Sequence, residues 1–197
     1  RTRVRAVWRH RHCIAPGASP VGGFRFFTEK PLDRKALDQT FPFIRRAIVL
    51  QSSADVLTLN VPDTELSSRY VKVSFFGAID FGRHGAPDVT EDGVLQVASL
   101  DDLMATKLKV LLQRVEAKDY RDIAAMLNAG GDLSLGLAVA KAIFGNAFQP
   151  SESLKAMTWF EGGDLQLLTG DEKRTLIDAA SAVRRLPQIE LAARGRL

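Results

Sequence analysis

The hydrophobic period of this chain changes at Ser99. Ahead of it, apolar residues come in short alternating or continuous runs: 23–28, 47–51, 55–61, 69–76 and 94–98. Behind it they recur at helical spacing. Period 2 marks strands that bury one face, and period 3.6 marks helices that bury a stripe. Strands first and helices afterwards predict an α+β chain with a sheet in the N-terminal half and a helical C-terminal subdomain.

Local signals place the elements. Pro31 opens a predicted helix to about Phe41, with Leu32, Ala36, Leu37, Thr40 and Phe41 on its apolar side. Ser52, Ser53 and Ala54 separate two β-rich runs and predict a hairpin. Residues 77–93 are rich in Gly and Pro and read mostly as loop. Ser99 is a suitable N-cap, with Asp101 and Asp102 in the first turn where the helix dipole favours them. Met104, Leu108, Leu111, Leu112 and Val115 form the stripe that follows. A second helix runs from near Ala117 to the Gly130–Gly131 pair. Further helices are predicted over 134–144, 151–160 and 171–186, the last stopped by Pro187. Phe144, Phe148, Met157, Trp159 and Phe160 are assigned to the helical core. Three segments result: a basic arm at 1–20, disordered or aberrant; a sheet domain at 21–98; and a helical subdomain at 99–190.

Charge is unevenly spread. The formal net charge is +4, but residues 1–12 carry five Arg and no acid, and without them 22 basic residues face 23 acidic ones. The arm could contact phosphate backbones, but the body of the chain has no basic excess. His10, His12 and Cys13 lack a fourth ligand at zinc-like spacing. The single cysteine excludes an internal disulfide. No apolar run approaches the roughly 20 residues that span a bilayer, and the charged first dozen residues do not resemble a signal peptide. A cytoplasmic protein without membrane contact is expected.

Two places carry chemistry. Arg25 sits inside the aromatic strand GGFRFF, where its charge must find water, a partner or a ligand. The densest ionisable cluster is ATKLKVLLQRVEAKDYRDIAAML, residues 105–127. Lys107 and Arg114, seven apart, are expected on one helix face, and Asp119 and Asp122 share a face of the next helix. A short turn would set two cations against two carboxylates. Spacing alone leaves two readings open: a surface ion-pair set worth about 0–1 kcal/mol per pair, or an anion site in which Lys107 or Arg114 holds a phosphate.

The same stretch resembles the AbiEii/AbiGii-type nucleotidyltransferase toxin family. That family pairs Lys-Leu-x-Ala-Leu-x-x-Arg with Lys/Arg-Asp-Phe/Tyr-x-Asp-Leu/Ile. Here the matches are Lys107-Leu108, Arg114 and Lys118-Asp119-Tyr120-Arg121-Asp122-Ile123. Similarity continues over FRFFTEKPLDRKAL, VLTLNV, VKVSFFGAIDFG and AVAKAIFGNAFQPSESLKAMTWFEGGDL, covering roughly residues 24–190. The resemblance implies a DNA polymerase β-like nucleotidyltransferase fold. It implies a nucleoside triphosphate bound with Mg²⁺, nucleotide transfer to an acceptor such as tRNA, and a cognate antitoxin. It implies Asp119 and Asp122 as active-site acids, and Lys107, Arg114 and Lys118 as substrate-binding residues; Arg25, standing where a metal carboxylate is expected, is read as a substrate-binding residue that holds phosphate in the metal's place.

The front of the site departs from that pattern. Where the family's strand reads Asp-x-Asp, this chain has Gly23 and Arg25, and near Ser74 the third carboxylate is absent. The family's Gly-Gly-Ser/Thr-Ala-Leu segment is not found in residues 1–20. Glu29 and Asp80 are substitute ligands or ordinary loop-end acids. Both an active transferase and a non-catalytic nucleotide- or protein-binding module that retains the fold therefore remain open, and the metal ligands are unassigned.

Overall fold

The computed structural model describes residues 5–7, 23–62, 70–79, 82–89 and 96–192. His10, His12, Cys13 and Asp80 lie outside the described residues. The chain divides into two compact units, residues 1–80 with 88–97, and residues 81–87 with 98–197.

The first unit is built on strands β1 (Arg5–Val7), β2 (Gly23–Phe27), β3 (Ile48–Ser52), β4 (Val56–Pro62) and β5 (Tyr70–Phe76), with helix α1 (Arg34–Thr40) between β2 and β3. They form one sheet in the order β1-β2-β5-β4-β3. β2 and β5 run parallel, and the other pairs are antiparallel. Two short strands, β6 (Asp88–Val89) and β7 (Gln96–Val97), pair separately. β1 arises from the arm in which no period is visible.

Strand alternation settles the position of Arg25. Phe26 stacks on Phe75 at 5.0 Å and meets Phe41 at 6.0 Å on one face of the sheet. That face is the core, completed by Leu37, Leu57, Leu59 and Val73. Arg25 therefore points to the opposite face, where it is exposed. Its aromatic neighbours bury the strand without burying the charge.

Boundaries differ from the sequence reading where local hydrogen bonds decide them. Asp33 accepts from the Ala36 amide at 3.0 Å and caps α1, so Pro31 stands outside the helix. Pro42–Arg46 forms a 3-10 turn ahead of β3. The hairpin of β3 and β4 is present, with a bulge between Val49 and Gln51.

The second unit holds α2 (Leu100–Leu111), α3 (Ala117–Asn128), α4 (Leu133–Phe144), α5 (Pro150–Thr158) and α6 (Gly170–Ala182). Ser99 caps α2, Asp132 caps α4, and Thr169 forms a capping box with Glu172 on α6. The core contains Met104, Leu108, Leu137, Phe148, Met157 and Leu176. α6 ends at Ala182 rather than at Pro187, because Val183 is extended; Leu186 still packs on the core from an irregular segment. Trp159 does not join this core. α5 stops at Thr158, and the extended Trp159 turns outward, 65% exposed, while Phe160 faces Tyr120 at 6.3 Å. Val115, past the end of α2, is also exposed.

Phe26→Ala should destabilise the sheet unit by about 3–5 kcal/mol, since it empties an aromatic stack in a closed core. Urea unfolding followed by circular dichroism reads this directly.

Candidate functional site

The helical unit gathers four of the charged residues singled out in the sequence. Lys107 lies on α2 among Met104, Leu108 and Leu111, so its stem is buried and its amine reaches across to α3. There Lys107 Nζ donates to Asp119 Oδ1 at 2.8 Å and also to Asp122 Oδ2. Asp119 and Asp122 are one turn apart on α3, and all three residues are buried.

Arg114 closes the cluster from the other side. Its Nε donates to Asp119 Oδ2 at 2.8 Å, and its Nη2 donates to Asp119 Oδ1 at 3.2 Å. This is the two-pronged fit of a guanidinium to a carboxylate. Arg114 does not share a helix face with Lys107, because α2 ends at Leu111 and Arg114 belongs to the connection before α3. The turn, not helical spacing, swings it onto Asp119. It remains 34% exposed and lies 3.6 Å from Glu116. Lys118 is placed differently: 49% exposed, it pairs with Glu116.

Asp119 thus has both oxygens engaged. Burial alone would push its carboxyl up, but the hydrogen bonds from Arg114 and Lys107, with their charges, outweigh burial and hold it below the usual range. Arg114 is shifted upward, chiefly by the hydrogen bond to Asp119 and against the effect of its own partial burial. Tyr120 is raised by burial and then by the Asp119 charge, while its hydroxyl donates to the Ala156 carbonyl at 3.0 Å. The surface ion-pair reading is excluded for Lys107, Asp119 and Asp122 by their burial. At neutral pH Asp119 is an anion already satisfied by cations. That arrangement fixes two cations in place and makes Asp119 a weak proton acceptor.

The supports come from far along the chain. Asp164 accepts the Ala117 amide at 2.6 Å and so caps α3, 47 positions away in sequence. Ser153 donates to the Leu108 carbonyl at 3.1 Å. Gly163, at φ +51°, would place any Cβ 2.1 Å from the Val115 carbonyl oxygen, so only glycine lets this loop lie on the α2–α3 connection. No local signal marks Asp164 or Ser153 as neighbours of the cluster. Glu116 was visible only as the residue before the predicted start of α3.

The sheet unit carries the positions at which the resemblance places metal carboxylates. Arg25 is paired in register with Ser74, and Gly23 with Lys72, across the parallel β2–β5 ladder. A Cβ at position 23 would lie 2.8 Å from the Lys72 carbonyl oxygen, too close for any acid to be added without moving backbone. Ser74 is buried and its hydroxyl accepts from Thr58 at 3.2 Å. A guanidinium, a hydroxyl pair and a closed glycine do not make a Mg²⁺ site, which needs anionic oxygens. Glu29, just past β2, is exposed, and no group of three or more His, Cys, Asp or Glu capable of holding a metal occurs among the described residues.

Together these define an α+β protein with a mixed sheet unit, and a helical unit organised around a buried Lys–Asp–Asp–Arg cluster. A family model described as nucleotidyl transferase AbiEii toxin, type IV TA system, matches residues 25–186, and the chain belongs to this family. No curated protein and no solved structure matches it significantly. Among the described residues, no helix is long and apolar enough to cross a membrane.

Asp119→Asn should cost on the order of 3–5 kcal/mol at neutral pH, because it breaks a buried ion cluster and leaves the Lys107 amine with Asp122 as its one remaining carboxylate in the cluster. In the parent chain, the stabilisation from Asp119 is complete above the ordinary carboxylate range and is lost as pH falls toward its depressed folded value. Urea midpoints between pH 7 and pH 3 should therefore decline more steeply for the parent than for Asp119→Asn. Gly163→Ala should lower the thermal midpoint with no change in charge.

Proposed function

We propose that this chain is a nucleotide-binding protein of the AbiEii toxin type that keeps the fold without the family's metal-dependent transfer. The observation that carries the reading is the β2–β5 pair, where Gly23, Arg25 and Ser74 stand at the positions of the expected carboxylates. By resemblance, Lys107, Arg114 and Lys118 are the nucleotide-binding residues and Asp119 and Asp122 the active-site acids; with Lys107 buried between the two acids, Arg114 and Lys118 are the cations exposed to a nucleotide. Asp119 supports that role because it locks the Arg114 fork from behind while part of the guanidinium remains exposed. A cognate antitoxin and a cytoplasmic location follow from the same reading.

A second reading is favoured by one observation, the intact Lys107–Asp119–Asp122–Arg114 cluster. In it the protein transfers nucleotide from a nucleoside triphosphate to an RNA acceptor such as tRNA.

Incubation of the purified chain with labelled nucleoside triphosphates and total RNA, with and without Mg²⁺, separates the two. Nucleotide binding without label in RNA supports the first reading, and label in RNA overturns it. Arg114→Lys keeps a cation beside Asp119 but loses the fork. It should weaken nucleotide binding about tenfold with little change in thermal midpoint.

A further inference from the structure

The face of the sheet opposite its core has an unusual charge pattern. Two rows cross β2, β5 and β4 in register: Arg25, Ser74 and Thr58 in one, and Gly23, Lys72 and Asn60 in the next. The Thr58–Ser74 hydrogen bond at 3.2 Å and the Phe27–Phe76 stack at 5.1 Å confirm that these positions share a side. No acidic residue occurs on this face of the three strands. Arg25 and Lys72 are both exposed, and among the described residues neither makes an ion pair or side-chain hydrogen bond. They are diagonal neighbours, and on adjacent strands such positions lie about 7–8 Å apart, within reach of long side chains. Two like charges therefore stand close together with no counter-ion among the described residues.

The remaining positions suit an anion. Gly23 contributes no side chain beside Lys72 and admits none. Thr58 and Ser74 are buried and hydrogen-bond to each other, so the exposed donors of the two rows are Arg25 and Lys72. Asn60 offers an amide N–H in the Lys72 row. Guanidinium, ammonium and amide donors on three strand faces that carry no carboxylate among the described residues match phosphate oxygens rather than a metal ion.

We infer that this face binds the triphosphate chain of a nucleotide directly, with Arg25 and Lys72 supplying the positive charge that divalent metal supplies elsewhere in the family. This rests on the reading of the chain as nucleotide-binding and concerns the sheet unit by itself, as a metal-independent site for the polyphosphate.

Calorimetric titration of the full chain in EDTA with ATP, and separately with sodium tripolyphosphate, tests it. Binding should be present without metal and should weaken as salt rises. Added Mg²⁺ should weaken it, because the ion cancels charge on the phosphates. Arg25→Ala and Lys72→Ala should each reduce affinity about tenfold while leaving the thermal midpoint unchanged, since both side chains are exposed. Affinity for tripolyphosphate equal to that for ATP would make the polyphosphate chain the whole ligand; tighter ATP binding would make it a nucleoside triphosphate. A requirement for Mg²⁺, or indifference to both substitutions, would overturn the inference. If ATP binding then still responded to Arg114→Lys, the nucleotide-binding reading would stand alone. If neither anion bound under any condition, both would fall.

Discussion

Asp119 is the pivot of the helical unit. A fully buried carboxylate is costly unless its oxygens are taken up, and here Lys107 and Arg114 take up both. Lys107 comes from α2, Asp119 and Asp122 from α3, and Arg114 from the connection between them. One charge-balanced cluster therefore fixes how the two helices meet. The cap that Asp164 places on α3 and the bond from Ser153 to Leu108 carry the same constraint outward to α5 and the loop beyond it. A buried ion cluster of this kind adds little net stability over a well-packed apolar alternative. Its effect is to make one arrangement of the junction far better than its neighbours, since every displaced charge would be left without a partner.

The two units treat charge in opposite ways. In the helical unit the cations and carboxylates cancel within a few ångströms, which leaves Asp119 unsuited to accept a proton at neutral pH. On the outer sheet face, Arg25 and Lys72 have no anionic neighbour among the described residues. That cationic pair, left uncompensated among the described residues, stands in the unit where the family pattern is broken. The unit where the pattern is kept has its charges mostly satisfied from within, apart from the exposed part of Arg114.

Much of this was legible before any coordinates. Lys107, Asp119 and Asp122 could be grouped because helical spacing and a family motif point to the same three residues. Their burial was not legible, because it depends on which face of α2 the later helices cover. Arg114 was assigned to the right partners by the wrong geometry: an apolar pattern runs on to Val115, but the helix carrying it stops at Leu111. Leu186 misled in the same manner, continuing the rhythm of α6 from a segment that is no longer helical. Arg25 posed the opposite problem. Its strand is buried, yet alternation alone turns its side chain outward, and only the register with β5 shows that Ser74 and Lys72 are its neighbours. Non-local pairing of this kind leaves no mark on a local window.

The departure from the family at the sheet is more than a missing pair of acids. Position 23 is closed by the Lys72 carbonyl, so a carboxylate there requires the β2–β5 ladder to shift. A carboxylate at 25 alone would lie diagonal to Lys72 and pair with its ammonium before it could recruit a dication. Ser74 is already hydrogen-bonded to Thr58 and buried, and an acid in its place would need new donors around it. Gly23, Arg25, Lys72, Ser74 and Thr58 are thus mutually consistent as a cationic face over a buried hydroxyl pair. None of them can be returned to the metal-binding pattern singly, which is why the face is better understood by the anions it can hold than by the metal ligands it lacks.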